Sequence, residues 1–112
     1  MNDSRIVRWW LLVNMVNNKE KILKMLATNK ERLKEKFNVK EIGLFGSYIR
    51  GEERKGSDVD ILVDFTDTIS LFAFIELEDY LTKTLGNKVD LVSKNALKPR
   101  IGSYILQEVI YV

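Results

Sequence analysis

Three short runs, Val39 to Phe45, Val59 to Val63 and Lys88 to Ser93, are rich in β-branched and other apolar residues and alternate with stretches of helical periodicity. Runs of that length read as strands, and strands must pair before they can bury an apolar face. From Asn17 to Phe37 the residues Ile22, Leu26, Leu33 and Phe37 recur at helical steps among Lys and Glu, which predicts one or two helices with a break near Ala27-Thr28-Asn29. Phe74, Leu77, Leu81 and Leu85 mark a further helix, closed by Gly86 at the position where a left-handed cap is expected. Pro99 opens a final amphipathic segment running to Val112. The expected fold is therefore α/β (α+β), a small mixed β-sheet flanked by helices. At 112 residues the chain has room for one domain.

Composition narrows the chemistry. The chain has neither cysteine nor histidine, so thiolate ligands, thiol nucleophiles and imidazole bases are all excluded. Carboxylates, hydroxyls, Lys, Arg and backbone amides are what is left, together with hard oxygen-bound cations such as magnesium. A net charge of +2 calls for no polyanionic partner, and no direct nucleic-acid contact is expected. Trp9-Trp10-Leu11-Leu12-Val13, flanked by Arg8 and Asn14, is far too short to span a membrane and lacks a signal-peptide cleavage site. A cytoplasmic location is expected. Residues 1–14 differ in character from the rest of the chain and read as an N-terminal extension or docking helix, with Met15 as an alternative start and the domain proper over 15–112.

The acids within the strands are harder to explain by packing. Asp58 and Asp60 stand two apart at the head of the second strand, so they project from one face while Val59, Ile61 and Val63 take the other. Two carboxylates about 4 Å apart repel by roughly 4 kcal/mol at an effective dielectric near 20, a cost that a divalent cation between them would relieve. Asp90 repeats the pattern in the third strand, and if that strand pairs beside the second, three carboxylates meet on one patch. Upstream, Gly46-Ser47 follows the first strand. Gly46 allows a sharp bend and close approach, and Ser47 with the amides of the following turn can donate to phosphate oxygens. Arg50, one turn on, can reach a phosphate or bridge Glu52 or Glu53.

Gly46-Ser47, ten intervening residues, Asp58-x-Asp60 and a later strand acid at Asp90 resemble the signature of the DNA polymerase β-like nucleotidyltransferase superfamily. The short length and the closing segment resemble its minimal branch, the MNT antitoxins encoded beside HEPN toxins. The likeness covers nearly everything from Asn17 onward; Ile49 departs from it, where relatives often carry a small residue. The resemblance implies a palm-like fold and transfer of AMP from ATP to a tyrosine hydroxyl of a cognate HEPN toxin. It implies that Gly46 and Ser47 grip the triphosphate, that Asp58 and Asp60 hold two Mg²⁺ ions, and that Asp90 completes the catalytic metal site and helps remove the acceptor's proton. Nucleotidyl transfer to a small molecule or RNA with a partner chain, and toxin masking without catalysis, are the competing readings. Arg54 and Lys55 read as a solvated loop face, Phe72, Phe74 and Tyr80 as core or partner surface, and Tyr104 and Tyr111 as packing residues.

Overall fold

The computed structural model describes residues 18–112. The expectations for residues 1–14, for Trp9 and Trp10 and for Met15 lie outside the described residues. Helices α1 (Asn18–Thr28) and α2 (Lys30–Phe37) are followed by strand β1 (Val39–Phe45), the single-turn helix α3 (Ser47–Arg50), strand β2 (Val59–Phe65), helix α4 (Leu71–Leu85), strand β3 (Val89–Ser93), a 3₁₀ turn over Lys94–Ala96, helix α5 (Pro99–Glu108) and strand β4 (Ile110–Tyr111). The break between α1 and α2 falls at Asn29, whose side-chain amide donates to the Met25 carbonyl at 2.8 Å and whose Oδ1 accepts from the Tyr80 hydroxyl at 3.2 Å. α4 starts where Ser70 Oγ accepts the Ala73 amide at 3.1 Å and ends at Gly86, whose φ of 73° is the left-handed cap expected from sequence.

The strands form one mixed sheet in the order β3-β2-β1-β4. β1 runs antiparallel to β2 and β4, and β2 runs parallel to β3. A parallel pair needs a crossover, and α4 supplies it. Two boundaries differ from the sequence reading. β2 continues to Phe65, and the closing segment is not one helix to Val112: α5 stops at Glu108 and the chain returns as β4 beside β1. The return depends on Gly43, where any Cβ would come within 2.6 Å of Val109 Cγ2 and 2.8 Å of the Ile110 carbonyl oxygen.

Side-chain alternation sorts the sheet into two faces. Ile42 and Leu44 of β1, Val59, Ile61 and Val63 of β2, and Val89 and Leu91 of β3 pack with Ile22 and Leu26 of α1, Leu33 and Phe37 of α2, and Leu77, Leu81 and Leu85 of α4. Truncating a fully buried member such as Leu77 or Leu81 to alanine is worth about 2–5 kcal/mol. The opposite face carries Phe45, Asp60, Leu62, Asp64 and Asp90.

Candidate active site

Strand register assembles the site. Phe45 of β1 pairs with Asp60 of β2, and Asp60 pairs with Asp90 of β3, so Asp60 lies between the end of β1 and the third acid. Gly46, the next residue after Phe45, is thereby laid against the Asp60 side chain. Its backbone (φ 79°, ψ −151°) is in a region open essentially to glycine alone. A Cβ there would overlap Asp60 Oδ2 and come within 2.8 Å of its Cγ. Gly46 is therefore required twice, for its dihedral angles and for the absence of a side chain. Its carbonyl accepts the Ile49 and Arg50 amides at 3.0 and 3.1 Å to open α3. Ile49 itself is half-buried and packs on the core, so the departure at this position is absorbed by packing.

Asp58 is exposed at the threshold of β2. The turn delivering it is closed by Arg54 and Ser57, with the Arg54 amide donating to Ser57 Oγ at 2.8 Å and the Ser57 amide to the Arg54 carbonyl at 2.9 Å. Asp90 is exposed and Asp60 half-buried. Burial raises the Asp60 carboxyl above its ordinary pKa, and the charges of Asp90 and Asp58 raise it further; Arg50 and the Ser47 amide, which donates to it, act the other way. Asp60 is thus the acid that carries the effect of both neighbours. Asp60 and Asp90 share a face and Asp58 precedes the strand; among the described residues no group of three or more acids is gathered closely enough to hold a metal ion by itself. That donor set fits Mg²⁺, which takes one or two carboxylates and completes its shell with water and substrate phosphates.

Arg50 resolves differently from the simple alternatives. Its Nε pairs with Glu52 at 3.1 Å, as one reading expected, but its Nη1 pairs with Glu108 at 2.7 Å, and Glu53 is not its partner. Glu108 was not singled out in the sequence, and it reaches the signature loop from α5: its Oε2 also accepts the Gly46 amide at 2.8 Å. No local spacing announces a contact between residues 62 positions apart. Phe45, Gly46, Arg50, Asp60, Ile101, Tyr104, Ile105 and Glu108 line a cleft of about 540 Å³, within the usual range for small-molecule sites. Tyr104 and Tyr111, expected to pack, are exposed at 76% and 41%; Tyr111 lies on the edge strand β4. Phe72 is exposed, whereas Phe74 and Tyr80 pack against the core; Arg54 and Lys55 are solvated as expected. Tyr48, buried in α3, has its hydroxyl pKa raised by burial and then by Glu53 and Asp58.

Comparison with known proteins bears on the whole described fold. The family described as Nucleotidyltransferase domain matches residues 26–112. The protein adenylyltransferase MntA of Thermococcus cleftensis is 55% identical over 93 residues, covering 83% of this chain and 94% of that protein. A toxin–antitoxin complex crystallised with AMP-PNP contains a chain that superimposes with a TM-score of 0.62 at 31% identity, covering 84% of this chain and 71% of that one. A complex of the tri-AMPylated Shewanella oneidensis HEPN toxin with its MNT antitoxin matches with a TM-score of 0.54 at 29% identity, covering 84% and 67% of the two chains. Among the described residues no helix is long and apolar enough to cross a membrane. Identity on this scale over most of both chains, joined to the shared mixed-sheet fold, places this chain in the nucleotidyltransferase family, in its minimal branch of MntA-type protein adenylyltransferases.

Proposed function

We propose that this chain is a Mg²⁺-dependent antitoxin that transfers AMP from ATP to a tyrosine hydroxyl of a cognate HEPN toxin. The observation that supports the reading is Gly46 laid on Asp60, the two lining one cleft with Arg50, while Asp90 stands across the β2–β3 pair from Asp60. The relatives named as protein adenylyltransferases, and the structure of an AMPylated HEPN toxin bound to its MNT antitoxin, favour a protein acceptor over a small molecule or RNA. An ATP substrate supports a cytoplasmic location.

In this reading the Gly46 amide, the Ser47 hydroxyl and Arg50 hold the triphosphate of ATP. Asp58 and Asp60 would hold magnesium, with Asp90 completing the set, and the chemistry such ions would supply there is polarisation of the α-phosphoryl group and neutralisation of the departing pyrophosphate. The tyrosine oxygen attacks the α-phosphorus, the bond from that phosphorus to the bridging oxygen of the β-phosphate breaks, and pyrophosphate leaves. Asp90, the most exposed acid of the strand pair, helps take the phenolic proton, a metal-assisted carboxylate being the natural base in a chain without histidine.

The test is transfer of label from [α-³²P]ATP to the HEPN partner by the wild type and by Asp58→Asn/Asp60→Asn. Labelled tyrosine with the wild type alone is the expected result. Labelling that persists in the double variant overturns the catalytic assignment, and toxin neutralisation that survives without labelling supports masking instead.

A further inference from the structure

Glu108 is held by two donors that the proposed reaction requires for phosphate. One carboxylate oxygen takes the Gly46 amide at 2.8 Å and the other takes Arg50 Nη1 at 2.7 Å. A backbone amide and a guanidinium sharing one oxyanion is the geometry by which phosphate groups are recognised. The carboxylate gains nothing from its own helix. Glu108 is the last residue of α5, where the macrodipole disfavours negative charge, and no basic residue lies in that final turn to offset it. Its side chain is only 21% exposed, and it faces a cleft already carrying Asp60. Neither packing nor helix electrostatics accounts for an acid here. The two donors do.

We propose that Glu108 is a built-in competitor for the phosphate cradle: its carboxylate stands in for a phosphate on the Gly46 amide and Arg50, and a nucleotide must displace it to bind. This inference rests on the reading of Gly46 and Arg50 as triphosphate ligands. Arg50 has a second partner in Glu52, which takes its Nε, so displacement of Glu108 would free the Nη1 edge alone. The amide of Gly46 is freed in the same movement. Glu108 thereby sets how much ATP is needed to fill the site, a determinant of nucleotide affinity supplied from outside the signature.

The experiment is calorimetric titration of inorganic triphosphate into the full chain, its Glu108→Gln and Glu108→Ala variants, and each of these combined with Arg50→Gln. Glutamine retains a hydrogen-bond acceptor but loses the charge, and alanine empties the position; circular dichroism melting checks that each is folded. The expected result is at least about tenfold tighter binding for both single variants, the size of a charge-assisted hydrogen bond no longer contested, and a smaller gain when Arg50 is also replaced, since only the Gly46 amide is then released. Unchanged or weaker binding in the folded Glu108 variants overturns the proposal and assigns Glu108 to holding the loop. Because binding of inorganic triphosphate is read without any acceptor protein, this failure is distinct from a failure of label transfer, which would overturn the adenylyltransferase reading alone.

Discussion

Asp60 stands directly across the parallel β2–β3 pair from Asp90, and the proximity raises the Asp60 pKa above its ordinary value on top of the effect of burial. A carboxyl whose folded pKa is raised is stabilising in its protonated form. That stability is fully present below the unfolded pKa and is lost as pH rises through the folded one. At neutral pH the ionised Asp60 is therefore a cost to the fold. Asp60→Asn removes it while keeping an oxygen for the Ser47 amide. The expected outcome is a melting temperature higher by roughly 2–4 °C at pH 7, a modest figure because solvent screens a half-exposed group. The difference from wild type should vanish below the ordinary carboxylate range. Adenylylation should fall by at least about 10²- to 10³-fold in the same variant. A melting temperature lowered at pH 7 would show that the acids do not oppose folding.

The same repulsion predicts a response to divalent cations. Mg²⁺ bound by the folded chain alone stabilises it, by about 2.7 kcal/mol at a hundredfold excess over the dissociation constant. Thermal melting in Mg²⁺ should exceed melting in EDTA for the wild type, and the difference should disappear in Asp58→Asn/Asp60→Asn. An equal rise in both proteins would place the ion elsewhere.

Gly46→Ala tests the contact between the loop and Asp60. The new methyl group meets the Asp60 carboxylate and must also adopt a backbone region closed to it, for which strain of about 1–3 kcal/mol is usual. The variant should melt lower than wild type and show no detectable transfer. Gly51→Ala is the control. It too has positive φ, at 70°, but its Cβ would meet nothing within 4 Å, so it should lose stability while keeping activity.

These residues also show what could be read before the fold was known. The acids of β2 and β3 announced themselves because carboxylates within β-branched runs are unfavourable unless something uses them, but that Asp60 and Asp90 share a face was conditional on β3 pairing beside β2, which the parallel register supplies. Gly46 was legible as a bend, but the reason no other residue fits, its contact with Asp60, depends on the Phe45–Asp60 register between strands. Glu108 was not legible at all. Its partners lie 58 and 62 positions away, and its local pattern is that of an amphipathic helix end. Strand β4 was missed for a related reason: two residues, Ile110 and Tyr111, carry too little periodicity to separate from the helix before them.

The position of Asp90 depends on α4 as well as on β2. β3 is an edge strand, and its outward amides on either side of Asp90 are taken by helix side chains: Val89 donates to Thr82 Oγ1 at 3.1 Å and Leu91 to Glu78 Oε2 at 3.0 Å. Glu78 and Thr82 are one turn apart and so present both acceptors from one face of the helix. Glu78→Ala leaves the Leu91 amide without its acceptor, at a cost of about 1–3 kcal/mol, and loosens the strand segment that aims Asp90. The expected kinetic signature is a fall of roughly tenfold in kcat with KM for ATP unchanged, since Gly46, Ser47 and Arg50, proposed to hold the phosphates, lie at the corner between β1 and α3 and not on β3. Glu78→Gln keeps a carbonyl oxygen at the same point and should restore most of the rate. Hydrogen exchange at the Leu91 amide gives the independent reading: exchange should accelerate in Glu78→Ala and not in Glu78→Gln. Undiminished protection together with an undiminished kcat would show that pairing with β2 alone sets the aim of Asp90.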